Sequence, residues 1–403
     1  MAPGAVDPQH SNHASGKMKV PTRLYSVSTP PSLSAFHELC SQTASPETYP
    51  LASSVQKNIP IYDASSLSLS SPAQTSALQD EWYDILLHGP GVFVLKNAYP
   101  DPWILHAANR AFSAIITREA ASSKGDHFAA GGRNARVWNS FSKHCLADPA
   151  SFLAYYSNPW LALVCAAYLG PAYRVTAQLN VVKPGGAAQV PHRDYHLGFQ
   201  TAAAAAAYPR ATHKASALLT LQGAVAHSDM PLASGPTRLL PFSQAFDEGF
   251  VAYRLPEFAD YFAAHYVALP LSLGDAVFFS PALFHAAGAN ALPDFERSAN
   301  LIQVSSAFGK TMETVEALPL VERTWEALRE MYGREGMSRE VSAFVAAVAE
   351  GYPFPTNLDM RPPAPGGMAP ESEQQLLIRG LEGGWGVGEV VDALRAMKEA
   401  SGA

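Results

Sequence analysis

The chain has little charge, little cysteine and no long apolar run. Only 16% of its 403 residues are charged, and 28 Lys and Arg are outnumbered by 35 Asp and Glu, for a net charge of -7. No cluster of basic side chains stands along the sequence to displace counterions from a phosphate backbone, so nucleic acid is not expected as a partner. Three cysteines, Cys40, Cys145 and Cys165, are odd in number and widely spaced. They provide neither a disulfide framework nor a Cys-x-x-Cys zinc pair, which suits a reducing compartment. Nowhere do about 18 apolar residues run together, so no membrane span is expected. The opening MAPGAVDPQH lacks the basic-then-apolar order of a secretory signal, and a cytoplasmic location is the expectation. No internal repeat is visible, and nothing in the sequence speaks to oligomeric state.

What is present is an ordinary globular composition, 48% hydrophobic, in a chain longer than the roughly 250 to 300 residues at which a single core stops growing. Residues 1–75 are rich in Ser, Pro and Thr and read as an irregular arm. The main body follows over 76–312, and a helical extension over 313–403. Leu78, Trp82, Ile85 and Leu86 share one helical face before Gly89-Pro90-Gly91 stops the helix. Asn158, Pro159 and Gly170 have the types of an N-cap, a first-turn residue and a helix stop, so a helix is expected over 159–169. Between Pro171 and residue 312 come short runs rich in β-branched and aromatic residues (YRVTAQLNVV, SALLTLQGAV, TRLLPF, HYVALPLSL, DAVFFSPALF, SANLIQVSSAF), separated by Gly- and Pro-containing turns. Six to eight antiparallel strands of this kind make a mainly β fold with flanking helices, a sandwich or jelly roll. The alanine run at 201–213 reads as a surface insertion near the site entrance. Beyond 312 the period is helical again, with Val321, Trp325, Leu328 and Tyr332, then Val341, Phe344, Val345 and Val348, and lastly Val390, Val391, Leu394 and Met397.

In VPHRDYHLGF, His192 and Asp194 are two apart and on a strand would share a face, so one imidazole and one carboxylate can meet one ion. His285, late in GDAVFFSPALFHAAG, would be the third ligand. Two His and one carboxylate leave open positions on a metal, the arrangement of non-haem Fe(II) oxygenases. Thirteen histidines make a chance His-x-Asp unsurprising, and a second one exists, His227-x-Asp229. His192 follows the Pro-Gly-Gly loop and precedes an apolar segment, whereas His227 leads into a turn, and this context favours His192. Arg297 opens the strand after His285, where its guanidinium fork can take a diacid's far carboxylate in two charge-assisted bonds. Gln178 and Asn180 alternate toward one face of the strand before the Pro-Gly-Gly loop and could contact the other carboxylate, or pair within the fold. His196 would continue the face of His192. Trp138 and Tyr195 are pocket or core residues, Lys183 is solvated or functional, and His127, His144 and His213 have no evident partner.

The series of V-x-x-x-G before His192-Arg193-Asp194, then SDMPLASGPTRLLPFSQ, GDAVFFSPALFHAAGAN and the arginine beyond it resembles the phytanoyl-CoA dioxygenase family over residues 80 to 310. That resemblance implies a double-stranded β-helix core, iron held by His192, Asp194 and His285, and 2-oxoglutarate held by Arg297. It also places Asp229 and Gly235-Pro236 in the middle of the barrel. Family members often carry a hydroxyl two residues after the distal histidine, and here Ala287 stands instead. The implied reaction uses O2 and 2-oxoglutarate to hydroxylate an unactivated carbon of a small or medium metabolite, releasing succinate and CO2. The carboxylate of Asp194 disfavours halogenation, and the absence of a basic patch disfavours a CoA thioester. Two other readings stay open: a cupin-like metalloenzyme with no use for Arg297, and a catalytically silent barrel used for binding.

Overall fold

The computed structural model describes residues 20–119 and 134–402. Its N-terminal part runs α1 (Leu33–Cys40), β1 (Ser54–Gln56), β2 (Ile59–Asp63), α2 (Pro72–Leu87), β3 (Val92–Lys96), α3 (Pro102–Glu119), β4 (Asn134–Val137), α4 (Ser140–Ala147), α5 (Pro149–Tyr156) and α6 (Pro159–Leu169). The middle runs β5 (Arg174–Val182), α7 (Ala202–Ala206), α8 (Arg210–Leu218), β6 (Thr220–Ala226), β7 (Arg238–Leu239), α9 (Gly249–Ala252), α10 (Pro256–His265), β8 (Ala276–Phe279), β9 (His285–Ala286) and β10 (Arg297–Ser305). Four helices end the chain: α11 (Ala317–Glu335), α12 (Arg339–Val348), α13 (Glu373–Glu382) and α14 (Val387–Ser401).

Eight strands form one sheet in the order β1-β2-β3-β8-β6-β10-β5-β4, and β7 pairs with β9 in a second, two-stranded sheet. Among the described strands only β2 with β3 is parallel. Among the described residues helices outweigh strands, so the expected mainly β chain is instead a large, mostly antiparallel sheet under a thick helical layer. Part of the difference lies in runs read as strands: HYVALPLSL makes only isolated bridges, Val267 with Leu239 and Leu271 with Met230.

The pattern of β5 explains the architecture. All nine of its residues are buried, although Arg174, Thr176, Gln178 and Asn180 alternate with apolar residues. Val175, Ala177, Leu179 and Val181 join the core beneath the helices, while Gln178 and Asn180 face a cavity on the other side. A polar alternation that on an outer strand would meet water here meets an internal site. On the helical side, α2 packs on α6, α3 on α5, α11 on α4 and α5, and α12 on α5 and α6. A second core, including Val94, Ala224, Val277, Phe279, Leu283 and Leu239, lies on the cavity side and joins the two sheets.

Local chemistry sets the helix ends. The side chain of Asn158 accepts from Leu161 N, Pro159 opens α6 and Gly170 ends it, as expected. The first long helix starts earlier than its apolar face suggested, because Ser71 caps it by accepting from Gln74 N and Pro72 sits in the first turn. Nor is the stretch before it an irregular arm throughout: residues 54–63 form β1 and β2, and Tyr62 packs edge-on against Trp82 and Phe93. The alanine run folds as two short helices, α7 and α8, with His213 buried between them and bonded to the Ala205 carbonyl at 2.9 Å. His127 lies outside the described residues.

The second His-x-Asp pair belongs to the structure behind the sheet. His227 contacts Asn109 Oδ1 through Nδ1 at 2.6 Å and the Tyr155 hydroxyl through Nε2 at 2.9 Å. Asp229 Oδ1 accepts from Leu273 N. His144 contacts the Ser151 hydroxyl at 2.8 Å. Burial lowers both imidazoles from 6.5, His144 to about 4 and His227 to about 3. An unfolded chain binds these protons near 6.5 and the fold excludes them, so their contribution to stability is present above about pH 6.5 and is lost as the pH falls toward 4. The loss from His227 is expected to reach a few kcal/mol. Thermal melts from pH 7 to pH 4 test this: Tm should fall less steeply in His227→Gln than in wild type, and an equally steep fall would refute it.

Candidate metal and cosubstrate site

His192 and His285 meet across an isolated antiparallel bridge, with His192 N donating to His285 O at 2.9 Å and His285 N to His192 O at 3.1 Å. This reciprocal pair sets their imidazoles side by side, ring centroids 4.4 Å apart. Each Nδ1 contacts a backbone carbonyl, Val190 O at 3.0 Å and Leu283 O at 2.8 Å. A carbonyl can only accept, so each Nδ1 carries the proton and each Nε2 presents a lone pair. The Asp194 carboxylate stands between them, Oδ1 3.6 Å from His192 Nε2 and Oδ2 3.4 Å from His285 Nε2. One ligand atom from each residue lies within 4.8 Å of the other two. Among the described residues no other such group of three occurs. Two neutral nitrogens and one carboxylate are a donor set suited to Fe(II).

The electrostatics agree with that use. Burial alone would raise the Asp194 carboxyl, but the adjacent imidazoles and the Gln222 amide outweigh it and hold it well below the usual carboxylate range. Burial pushes the His192 imidazole down, against the pull of Asp194, toward the neutral form a metal needs. Gln222 Nε2 donates to Asp194 Oδ2 at 2.6 Å. The sequence reading missed this residue, although a glutamine inside the apolar run LLTLQGAV was the available signal.

His192 and Asp194 do not sit on a continuous strand. The chain turns immediately after them, with Tyr195 at φ 63° and His196 at φ 34°. Such angles in non-glycine residues cost on the order of 1 to 3 kcal/mol, and the buried Tyr195 is tied down by its hydroxyl, which donates to Gln303 Oε1 at 3.1 Å. His196 therefore leaves the face of His192 and meets the Ser216 hydroxyl at 3.3 Å instead. Arg193, between the two candidate ligands, points the opposite way. Its guanidinium donates to Ser243 O at 2.6 Å and Phe246 O at 3.1 Å, and lies over the rings of Phe250 and Phe284. Gly249 leaves the room, since a Cβ there would overlap that guanidinium.

The three residues open onto a cavity of about 540 Å³ that Arg297, Gln178 and Asn180 also line. Arg297 is buried, which lowers it to about 10, and Nη1 donates to the carbonyl of Gly235. Gln178 Oε1 accepts from Arg136 Nη1 at 3.2 Å. Asn180 Oδ1 is buried without a hydrogen bond. Ala287 and Thr237 line the same cavity, and the register Arg238 to Ala286 and Leu239 to His285, continued by one residue, sets Thr237 opposite Ala287. A hydroxyl is thus available across the strand pair from the position where one was expected. Tyr195 and Trp138 do not line the cavity, and Lys183 is exposed.

A phytanoyl-CoA dioxygenase family model matches residues 87–298, more than half of the chain. The chain belongs to that family. It is accordingly an Fe(II)- and 2-oxoglutarate-dependent oxygenase, and the donor set just described fits the metal. Among solved structures, the epimerase SnoN from nogalamycin biosynthesis, in complex with Fe3+, alpha ketoglutarate and nogalamycin RO, is 18% identical, over 59% of this chain and 85% of its own, with a TM-score of 0.40. The carbocyclase SnoK from the same biosynthesis is 18% identical over 60% and 86%, with a TM-score of 0.41. AviO1 from Streptomyces viridochromogenes Tue57 is 19% identical over 52% and 87%, with a TM-score of 0.37. Likeness at this level fixes no residue's role. No curated protein sequence matches the chain, and no helix among the described residues is long and apolar enough to cross a membrane.

The packing around Arg193 gives a test that leaves every candidate ligand in place. Gly249→Ala should displace the guanidinium, destabilise the fold by about 1 to 3 kcal/mol and weaken Fe(II) binding by about tenfold or more. Equilibrium metal titration at a temperature where the variant is folded reads this directly, and unchanged affinity would show that Arg193 does not position the site.

Proposed function

We propose that His192, Asp194 and His285 hold Fe(II) on a double-stranded β-helix core spanning the body of the chain. On this reading Arg297 receives the distal carboxylate of 2-oxoglutarate, and the enzyme hydroxylates an unactivated carbon of a small or medium metabolite. The observation that carries the reading is the convergence of two Nε2 lone pairs and one carboxylate, each Nδ1 already committed to a backbone carbonyl. Bound together, Fe(II) and 2-oxoglutarate supply the oxidation: O2 is consumed, the 2-oxo acid leaves as succinate and CO2, and the substrate gains one oxygen atom.

The protein's own part is positioning and exclusion of water. Gln222 fixes the orientation of Asp194, and the 192–285 bridge fixes both rings. Arg297 lies deep in the cavity, where a buried dicarboxylate end would cost several kcal/mol without a cation to meet it. Thr237 offers that carboxylate a hydroxyl in place of the one missing at 287. Asn180 faces the cavity, where its amide nitrogen can donate to a carboxylate of the cosubstrate, and Gln178 is the weaker candidate because its amide nitrogen already donates to Met312 Sδ at 3.5 Å. Met230, Leu271, Val277 and Phe279 supply the apolar walls.

Iron analysis and anaerobic spectroscopy test the assignment. His192→Ala, Asp194→Ala and His285→Ala should each lose Fe(II) while folding, and His227→Ala should keep it. Arg297→Ala should keep Fe(II) but lose the visible absorption of the iron-2-oxoglutarate chelate, with only partial recovery in Arg297→Lys. Loss of iron in the His227 variant with retention in the His192 variant would overturn the ligand choice. Absence of the absorption in wild type at saturating 2-oxoglutarate would leave a metalloenzyme with no use for Arg297.

A further inference from the structure

Asp194 and Tyr195, consecutive in the chain, each hold one glutamine of the main sheet. Gln222 of β6 and Gln303 of β10 face each other in register, line the cavity and are each only 5% exposed. Gln222 Nε2 donates to Asp194 Oδ2 at 2.6 Å, and since a carboxylate can only accept, the orientation of that amide is fixed. Its other end, Oε1, is buried without a hydrogen bond. Gln303 is held the opposite way round. The Tyr195 hydroxyl donates to its Oε1 at 3.1 Å, and its Nε2 finds no acceptor among the described residues. The two amides therefore leave one unmet acceptor and one unmet donor side by side, on strands whose facing Cβ atoms stand about 5 Å apart. Unmet polar groups inside a protein are rare, and here they coincide with the strained backbone of Tyr195, at φ 63°, whose hydroxyl sets the Gln303 amide.

We propose that the substrate carries a neutral hydroxyl and that the Gln222 and Gln303 pair receives it, the hydroxyl donating to Gln222 Oε1 and accepting from Gln303 Nε2. The proposal rests on the reading of the iron and cosubstrate residues above. A single atom that satisfies both amides has to donate and accept at once, which a hydroxyl does. A carboxylate would set its oxygens against the Gln222 carbonyl, and an ammonium would set its protons against the Gln303 amide nitrogen. The cosubstrate does not fill this place. From Arg297 to Gln303 the strand β10 runs about 20 Å, farther than a five-carbon diacid anchored at Arg297 spans. Ala224 and Leu301, paired in register, continue the same wall of the cavity, and Phe279 flanks Gln222 on β8. They provide apolar contact for the carbon skeleton that bears the hydroxyl. Because Gln222 also holds Asp194, the hydroxyl is received beside the three candidate ligands. Gln303 is thus a substrate-positioning residue that selects which carbon lies nearest to them.

The test is equilibrium dialysis of anaerobic, Fe(II)-loaded protein saturated with 2-oxoglutarate, using 2-indanol, 2-indanone and indane. These share one skeleton and offer a donor with an acceptor, an acceptor alone, and neither. Wild type is expected to bind the alcohol about tenfold more tightly than the ketone. Gln303→Met should weaken the alcohol and the ketone by about tenfold each, while indane, Fe(II) and 2-oxoglutarate bind as before. Equal binding of alcohol and ketone, no measurable binding of the alcohol, a Met variant that keeps the alcohol, or one that weakens indane as much or loses Fe(II) or 2-oxoglutarate, would each overturn the proposal. The wild-type comparison decides alone should the variant fail to fold. Wild-type protein that takes up no 2-oxoglutarate would remove the cosubstrate reading, and this proposal with it, whereas a missing preference with 2-oxoglutarate bound refutes this proposal only.

Discussion

Two main-chain hydrogen bonds between residues 192 and 285 hold the site together. They join segments far apart in sequence, and all that matters chemically is referred to them: the spacing of the two rings, the direction of both Nε2 atoms and the gap into which Asp194 fits. Around that bridge the protein adds restraints that lie outside the three candidate ligands. Gln222 holds the carboxylate, Arg193 anchors the loop from behind, and the Tyr195 hydroxyl secures a backbone turn that costs energy. Positioning of this kind has to be complete before metal arrives, because a ligand set that relaxes apart on loading would lose affinity.

The strands feeding the site share one physical problem. Each central strand is buried on both faces, so its two parities must satisfy different neighbours. In β5 the odd-numbered positions meet helices and are apolar, while Gln178 and Asn180 meet the cavity. In β10, Ile302 and Val304 go to the helices and Arg297 and Gln303 to the cavity. Asn300 is the exception on the helical side, and the hydroxyls of Tyr155, Tyr156 and Ser140 surround its amide. That polar pocket behind the sheet also takes in His227, so a second His-x-Asp, alike in sequence, serves packing.

Much of this was legible in the sequence where one local rule decided the outcome. The cap, first-turn proline and terminal glycine of α6 have the residue types such positions need, and His192, Asp194, His285 and Arg297 do line one cavity. What was hidden depended on long-range pairing or on a single backbone angle. The serine-rich segment looked too polar to fold, yet β2 finds β3 and Tyr62 finds Trp82, and no periodicity announces either contact. Strand parity put His196 beside His192 until the positive φ of Tyr195 broke it. Gln222 signalled itself only as a polar residue in an apolar run, and Thr237 not at all, because each becomes a site residue only through a neighbouring strand.

The short hairpin of β1 and β2 has a further consequence for anyone shortening this chain. Since β2 covers one side of β3 and β1 ends the row after three residues, the sheet terminates in a strand too brief to recruit another. A protein trimmed to its family-matching segment would begin at the end of α2 and leave β3, still paired with β8 on one side, open along the edge that β2 covers. Such a flank invites strand addition between molecules. The apolar β2, set within a serine-rich segment, therefore shields an edge that would otherwise be open to pairing between molecules.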